Sequence, residues 1–328
     1  MRAAIVGAAL SAGSLVNLIT PSASVATEGA SLAGPIGGTD IRSAMLPPPG
    51  LYGGVAGVYS SIGELRDGGG HPAAGLDAVD FKLVVGGPFF LYVPNVQFAG
   101  GQFGVFGVIP MANVCNQLVS AIPKRCMTGL ADPYVETAWS RSLGHVRPAS
   151  ALGAFPIVEG LTVELGLGTV LPLGRYDAES KRLTGTSDGS NIFDLAPSFA
   201  VTYTTPPLIV DGTEFSAKLF WNNYATNPAT QYKTGQLIDI DFALTEHVGR
   251  FQVGLTGYHA FQIEDDRQFG VPVPPDGRRA DILSLGGIVN CDLAEIGAAI
   301  RVKYLATVTS RNNIMGQGVV VTFGKKLY

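Results

Sequence analysis

Two alternations run together through the last two-thirds of the chain. Within each segment, apolar and polar side chains alternate with a period of two, as Phe251, Val253 and Leu255 do against Gln252 and Thr256. In a β-strand these two sets point to opposite faces. Between segments, long polar connectors alternate with tight turns. Repeated about twelve times, this double alternation is typical of an all-β fold, an antiparallel transmembrane β-barrel.

The composition agrees with a barrel. Charged residues make up 15% of the 328 residues, against roughly 25% in soluble domains, and the mean hydropathy is +0.27. Beyond the N-terminus, no run approaches the ~18 unbroken apolar residues of a membrane helix. Glycine, proline and β-branched residues recur every few positions, which disfavours helices. The chain has a net charge of −4 and no cluster of basic residues, so nucleic-acid binding has no support.

The first 26 residues are typical of a signal peptide. Arg2 supplies the positive charge, an apolar run follows, and small residues precede a cleavage site expected after Ala26. A retained helical anchor is the competing interpretation. Residues 27–49 are rich in glycine and proline, and Pro47, Pro48 and Pro49 cannot lie within a sheet because they lack ladder donors. We expect this segment to be a linker or a lumen plug that narrows the channel, followed by a barrel over residues 50–328.

Strands are predicted where the period of two is sustained. The predicted ranges are 51–60, 79–94, 102–114, 132–141, 159–171, 191–205, 213–223, 234–246, 250–264, 279–290, 296–308 and 316–327. The connector 141–159 should be short and is long, and the pattern offers no explanation for it.

Charged residues inside these segments share a face with other charged residues two or four positions away. Because a Lys or Arg facing lipid costs roughly 2–4 kcal/mol at the bilayer midplane, such residues are expected to line the lumen. Two aromatic residues, Phe90 and Tyr92, share the parity of one such pair and become candidates for solute contact, unless Pro88 marks a bulge that flips the face. The full set of expected lumen residues is Asp80, Lys82, Phe90, Tyr92, Glu214, Lys218, Asp239, Asp241, Arg301 and Lys303.

The three cysteines leave two alternatives open. Cys115 and Cys126 bracket one predicted loop, where a disulfide would contribute about 3 kcal/mol, or all three thiols are unpaired. If Cys115 and Cys126 pair, Cys291 is left without a partner, in a predicted tight turn. No cysteine or histidine spacing suggests a metal, and no cofactor motif is present. The Gly185-x-Ser187-x-Gly189 pattern lies in a polar loop rather than between a strand and a helix, so no catalytic residue and no enzyme activity are expected.

Several short sequences, in order along the chain, resemble a known family. They are 46–52 (LPPPGLY), 90–93 (FLYV), 171–177 (LPLGRYD), 200–203 (AVTY), 216–219 (SAKL), 235–236 (GQ) and 257–258 (GY). The family is that of outer-membrane proteins associated with the meta-cleavage pathway of phenol degradation. The resemblance implies a Gram-negative outer-membrane barrel that passes aromatic or other poorly soluble compounds. The chain departs from the family in the long segment 141–157 and at the C-terminus, where either Phe323 or Tyr328 ends the last strand.

Together these observations predict a passive outer-membrane channel for small aromatic or poorly soluble compounds, linked to aromatic catabolism. Its expected partners are outer-membrane lipid, lipopolysaccharide, the barrel-assembly machinery and a small hydrophobic solute. The alternative is a structural or interaction barrel with a closed lumen and no transport role.

Overall fold

Residues 36–328 are described by a computed structural model, and they form one closed antiparallel barrel of twelve strands. The predicted signal peptide lies outside these residues, as does the first part of the segment 27–49. The strands are β1 (Gly50–Leu65), β2 (Asp80–Val93), β3 (Gly101–Val108 and Met111–Gln117), β4 (Arg125–Leu130 and Tyr134–Ser142), β5 (Ile157–Val170), β6 (Asp194–Thr204), β7 (Thr213–Tyr224), β8 (Leu237–Val248), β9 (Phe251–Gln262), β10 (Asp281–Leu293), β11 (Ala298–Arg311) and β12 (Ile314–Lys326).

Each strand pairs with its sequence neighbours, and β1 closes the barrel by pairing with β12 from Tyr52↔Lys326 to Leu65↔Ile314. All twelve predicted strands are therefore confirmed. Closure leaves no sheet edge, which a chain surrounded by lipid requires. In the described part of the chain, no helix is long and apolar enough to cross a membrane.

Prolines explain why β3 and β4 each come in two pieces. Pro110 and Pro133 lack an N–H, and each falls at a break between the two pieces of its strand. Opposite them, β2 changes its partner around Pro88, pairing with Met111–Gln117 on one side and with Val105–Val108 on the other. The register between β1 and β2 runs through Pro88 without a shift. Pro88 therefore marks no bulge that flips the face of β2.

Two kinds of connector separate the strands, as the sequence predicts. One end of the barrel carries the turn 249–250 and the short 3₁₀ helix Ala294–Ile296. The other end carries longer segments, including 171–193 with the helix α1 (Ala178–Thr184) and 225–236. The connector 312–313 at this end is a two-residue turn, because the last two strands extend beyond their predicted ranges, 296–308 and 316–327, to Arg311 and back to Ile314. Tyr52 and Lys326 pair at the short-connector end, so both barrel termini lie there.

Smaller elements decorate the connectors. Gln97–Phe98 pairs with β3 and His145–Arg147 pairs with β5, while Tyr232–Lys233, Arg267–Gln268 and Val271–Pro272 form a separate three-stranded sheet. Gln262 and the loop residue Asp266 tie this sheet to the barrel, because Asp266 accepts hydrogen bonds from Gln262, Tyr232 and the Gly235 amide. Burial raises the pKa of Asp266 to about 6, against these hydrogen bonds, which lower it.

The outer wall is apolar. Large hydrophobic side chains on alternate positions of neighbouring strands are 38–68% exposed, which is what a lipid-facing belt requires. They include Val55, Tyr59, Val84, Leu161, Leu165, Leu167, Phe199, Tyr203, Phe215, Trp221, Leu244, Leu255, Val302 and Tyr304. The residues between them are buried and mostly polar, so the polar core of this protein is its barrel interior.

Candidate functional site

The barrel interior gathers six of the predicted lumen residues. Glu214, Lys218, Asp239, Asp241 and Lys303 are each no more than 4% exposed. Arg301 lies two positions before Lys303 on β11 and shares its face. Each of these residues alternates along its strand with an outward apolar one, so the sequence period alone directs them inward.

The other four predicted lumen residues face outward, and the prediction for them is wrong. The strand register shows this, because directly opposed residues of antiparallel strands share a face. On β11, Val302 alternates with the buried Lys303 and is 43% exposed. Val302 pairs with Val321, Val321 with Gly57, and Gly57 with Gly86 on β2. The even-numbered residues of β2 therefore point outward, namely Asp80, Lys82, Phe90 and Tyr92.

Their exposure agrees with this placement. Phe90 is 48% and Tyr92 is 53% exposed, as expected of belt residues. Asp80 pairs with Lys124 at 2.6 Å on the outer surface, at the long-connector end of the strand. The prediction placed Asp80 and Lys82 inside because they are charged. A charged residue at a strand end lies beyond the apolar belt, however, so it can point outward without the cost of facing lipid.

A buried ion-pair cluster on the interior wall spans the four adjacent strands β4 to β7. Lys218 on β7 places its Nζ 2.8 Å from Oε1 of Glu136 on β4 and 2.8 Å from Oε1 of Glu164 on β5. Ser198 on β6 also donates to Glu136, at 2.7 Å. Hydrogen bonds to both carboxylates offset the desolvation of the buried charges, which attraction alone seldom does.

Residues 37–44 lie inside the barrel, against these polar side chains. Asp241 accepts hydrogen bonds of 2.8 Å from the backbone amides of both Gly37 and Thr39. Lys303 donates from its Nζ to the Gly37 carbonyl at 2.5 Å. Further along the segment, the backbone amide of Ala44 donates to the Thr202 hydroxyl at 3.1 Å. The wall thus binds the backbone of its own N-terminal segment.

Asp40 is the charged centre of this segment. Its carboxylate is 2.9 Å from Lys303 Nζ and forms a second ion pair with Arg301. Burial by itself would raise the pKa of Asp40, but the two cations outweigh it and hold the pKa below its ordinary value of 3.8. Asp40 is therefore ionised at neutral pH.

Arg42 anchors the next part of the segment. Its guanidinium lies 2.9 Å from Oδ2 of Asp292 on β10, and its amide donates to Glu214 on β7 at 2.8 Å. His247 on β8 lies 3.2 Å from the second oxygen of Glu214. Burial opposes the charge of Arg42, and Asp292 and Glu214 together raise its pKa.

The three prolines lie at the end of the interior segment rather than at its centre. Pro48 is exposed, its carbonyl accepts a 2.7 Å hydrogen bond from Tyr52, and β1 begins two residues later. Residues 37–44, not Pro47, Pro48 and Pro49, make the contacts that fill the interior.

The long connector 143–156 packs across the short-connector end of the barrel. Arg147 binds the Asp211 carbonyl in the β6–β7 connector, and Arg250 in the β8–β9 turn donates to the Leu152 carbonyl at 2.9 Å. The Phe155 amide donates to Asp292, which also binds Arg42. Two neighbouring connectors thus contact this connector, which the sequence pattern left unexplained, and Asp292 of β10 links it to Arg42 of the interior segment.

Cys115 and Cys126 form a disulfide across directly opposed positions of β3 and β4. Cys291 is free and lies in β10, not in a turn as predicted. Among residues 36–328, no group of three or more His, Cys, Asp and Glu side chains could hold a metal ion.

The prediction missed several interior residues. They are Asp40, Arg42, Glu136, Glu164, Asp194, His247 and Asp292. For those in strands a signal was present, since Glu136 and Glu164 occupy the inward parity of predicted strands, although each lacks a charged neighbour two residues away. Asp40 and Arg42 lie in a segment without a sequence period, so no signal could place them inside the barrel.

Comparison with known proteins gives a family and a fold. The sequence pattern of the family described as "Putative MetA-pathway of phenol degradation" matches residues 63–323. No curated protein sequence matches.

Among solved structures, an outer-membrane channel from Pseudomonas putida F1 has a TM-score of 0.69 at 12% identity, over 88% of this chain and 99% of that one. The β domain of the Bordetella autotransporter BrkA has a TM-score of 0.44 at 12% identity, over 84% and 99% of the two chains. The toluene transporter TodX of Pseudomonas putida reaches 0.37 at 10% identity, over 86% and 91%. The first of these structures shares the fold of this chain.

Proposed function

Because the chain belongs to the family described as "Putative MetA-pathway of phenol degradation", we propose that it is a passive channel for small aromatic or other poorly soluble compounds. The channel lies in the outer membrane of a Gram-negative bacterium and supplies aromatic catabolism. Its apolar outer wall and its closed sheet support the location.

One observation carries the proposal. The interior of the barrel is occupied by the chain's own residues 37–44, which are held by hydrogen bonds, by ion pairs and by the packing of Ile41 against Ala243 and Ile288, none of them covalent. A segment held in this way can leave without a covalent change. Its departure would open a passage lined by Asp241, Lys303, Glu214 and Asp292. Residues 37–44 are therefore the plug of this channel, which we call the interior plug.

The mechanism follows from the lining. With the interior plug displaced, charged side chains such as Glu214 and Lys303 hold water and offer hydrogen bonds to a solute. No energy source is required, so solute moves down its gradient. Twelve strands make a barrel narrower than the 16–18-stranded porins, so the channel admits small molecules.

The orientation and the partners belong to the same proposal. Outer-membrane barrels carry short turns on the periplasmic side, so the chain ends and the connector 143–156 face the periplasm. The wall contacts outer-membrane lipid, the long-connector end contacts lipopolysaccharide, and the barrel-assembly machinery inserts the chain. Residues 1–26 are the signal peptide, and a mature protein whose first residue is Thr27 would support this assignment.

Solute uptake tests the proposal. Liposomes that contain the purified protein should take up phenol faster than empty liposomes. Liposomes that contain the same protein after heat denaturation serve as the control for leakage. Equal rates in all three preparations would contradict a transport role.

The filled interior also favours a second candidate, a structural or interaction barrel that never opens. The two differ in electrical behaviour, because a permanently filled lumen conducts no ions. Discrete conductance steps in a planar bilayer would favour the channel. If no such steps occur at any voltage, and phenol enters no faster than into empty liposomes, the structural barrel would be favoured.

A further inference from the structure

An apolar layer crosses the interior between the interior plug and the long connectors. Eight strands contribute to it: β3, β4, β5, β7, β8, β9, β10 and β12. The β5–β6 connector contributes one residue, and so does the position directly before the interior plug. The members are Ile36, Phe106, Val108, Tyr134, Val170, Ile192, Tyr224, Leu237, Tyr258, Ala260, Ile282 and Ile314. A solute that crosses the barrel must pass this layer.

Polar atoms without hydrogen-bond partners lie at the same level. Both carboxylate oxygens of Asp239 have no hydrogen-bond partner among the described residues, and those of Asp194 have none among the described side chains, with the backbone amides of Leu195 and Asn223 near them. The Tyr224 hydroxyl and the Asn222 side-chain oxygen also have none. All four residues are at most 3% exposed. Buried polar groups are nearly always hydrogen-bonded, so this concentration needs an explanation.

The strand register brings these groups together. Asp194 on β6 is directly opposed to Tyr224 on β7, whose neighbour Asn222 pairs with Leu237 on β8. Asp239 follows Leu237 at the next inward position and is opposed to Ala260 of the apolar layer. These four side chains thus form one patch on three adjacent strands.

The interior cations are already bound elsewhere. Lys303 contacts Asp40 and the Gly37 carbonyl, and Lys218 contacts Glu136 and Glu164. Asp194 and Asp239 therefore have no ion-pair partner among the described residues, and the patch offers acceptors far more than donors.

Two kinds of solute meet this patch differently. A hydroxyl or an ammonium group on an apolar body can donate to the carboxylates while its body contacts Val170, Leu237 and Ile282. A carboxylate-bearing solute brings only acceptors and no donor, so it leaves the oxygens of the patch unpaired and is disfavoured.

We propose that Asp194 and Asp239 determine the specificity of this channel, favouring small apolar solutes that carry a hydroxyl or ammonium group and rejecting carboxylates. This inference rests on the proposed function, since it names the solute class that the same interior passes.

Three solutes with one aromatic ring each test the proposal in liposomes: benzylammonium, benzyl alcohol and benzoate. The variants are the full chain with Asp194→Asn and Asp239→Asn together, and a control with Asp80→Asn, an outward carboxylate. Correct folding of each variant is checked by its heat-modifiable mobility in gel electrophoresis.

The wild type and the Asp80→Asn control should pass benzylammonium and benzyl alcohol at least tenfold faster than benzoate. In the double variant the benzylammonium-to-benzoate ratio should fall at least fivefold. Equal passage of the three solutes by the wild type, or an unchanged ratio in the double variant, would overturn the proposal.

A separate result would count against transport itself. If no solute enters faster than into empty liposomes, the channel function fails, and equilibrium dialysis with detergent-solubilised protein decides the specificity alone. Stronger retention of benzylammonium than of benzoate, lost in the double variant, supports the assignment, and equal retention overturns it.

Discussion

Asp241 and Thr39 are 202 residues apart in sequence, yet the Asp241 carboxylate accepts hydrogen bonds from both the amide and the hydroxyl of Thr39, at 2.8 and 2.7 Å. Asp241 belongs to the wall of the barrel and Thr39 to the interior plug. In the proposed channel, this pair joins the part of the chain that forms the passage to the part that blocks it.

Acid should release the interior plug. Arg301 and Lys303 outweigh burial and hold the pKa of Asp40 below 3.8, so its ion pairs stabilise the plug above that pH. The contribution is lost as the pH falls through the lowered pKa. We expect bilayer conductance to rise when the pH falls from 6 to below about 3.8. An Asp40→Asn variant should already conduct at pH 6, and a closed variant at that pH would contradict the role of Asp40.

Removing the charge of Lys218 should destabilise the barrel strongly. The Lys218→Met variant leaves Glu136 and Glu164 buried without their cation, and breaking a buried pair in this way costs about 3–5 kcal/mol. Urea unfolding in lipid vesicles measures the loss. Lys82→Met removes an outward, exposed lysine and should change the free energy of unfolding by less than about 0.5 kcal/mol. Equal effects of the two substitutions would contradict the interior cluster.

A lysine on the lipid-facing wall should oppose membrane insertion. Leu255 is 68% exposed in the middle of β9, so Leu255→Lys is expected to cost roughly 2–4 kcal/mol. Ile209→Lys is the matched control, because Ile209 is 78% exposed but lies in the β6–β7 connector. Folding into vesicles reports the difference. Normal insertion of Leu255→Lys would place this face away from lipid.

Loss of the disulfide should loosen the long-connector end of β3 and β4. A Cys115→Ser, Cys126→Ser variant is expected to lose about 3 kcal/mol of local stability and to be cleaved faster by protease within residues 118–124. Cys291→Ser provides the control, since Cys291 is free. If reduction of the wild type leaves the cleavage rate unchanged, the bond contributes little to this hairpin.

The barrel could be predicted from the sequence because its rules are local. Side chains that alternate with a period of two identify each strand. The face that carries charged residues is then the inward one, as Asp239 and Asp241 show. The same rule failed at Asp80 and Lys82, because charge marks the lumen only within the thickness of the hydrocarbon. At the end of β2 the two charges reach water from the outer face.

The interior plug could be suspected but not placed. Its residues have no periodicity, and their partners are scattered over β4, β6, β7, β8, β10 and β11. The separation in sequence runs from 96 positions for Ala44 with Ser140 to 266 for Gly37 with Lys303. Such contacts depend on the assembled barrel. Proline composition pointed to Pro47–Pro49, whereas the residues that fill the interior are Gly37 to Ala44.

The proposed channel function depends most on whether residues 37–44 close a passage that otherwise exists. Single-channel recording in planar bilayers tests this directly, with the full chain compared with a variant that lacks residues 36–45. The full chain should be mostly closed at neutral pH, and the deletion variant should give large, steady conductance steps. A folded deletion variant with no more conductance than the full chain would contradict the account.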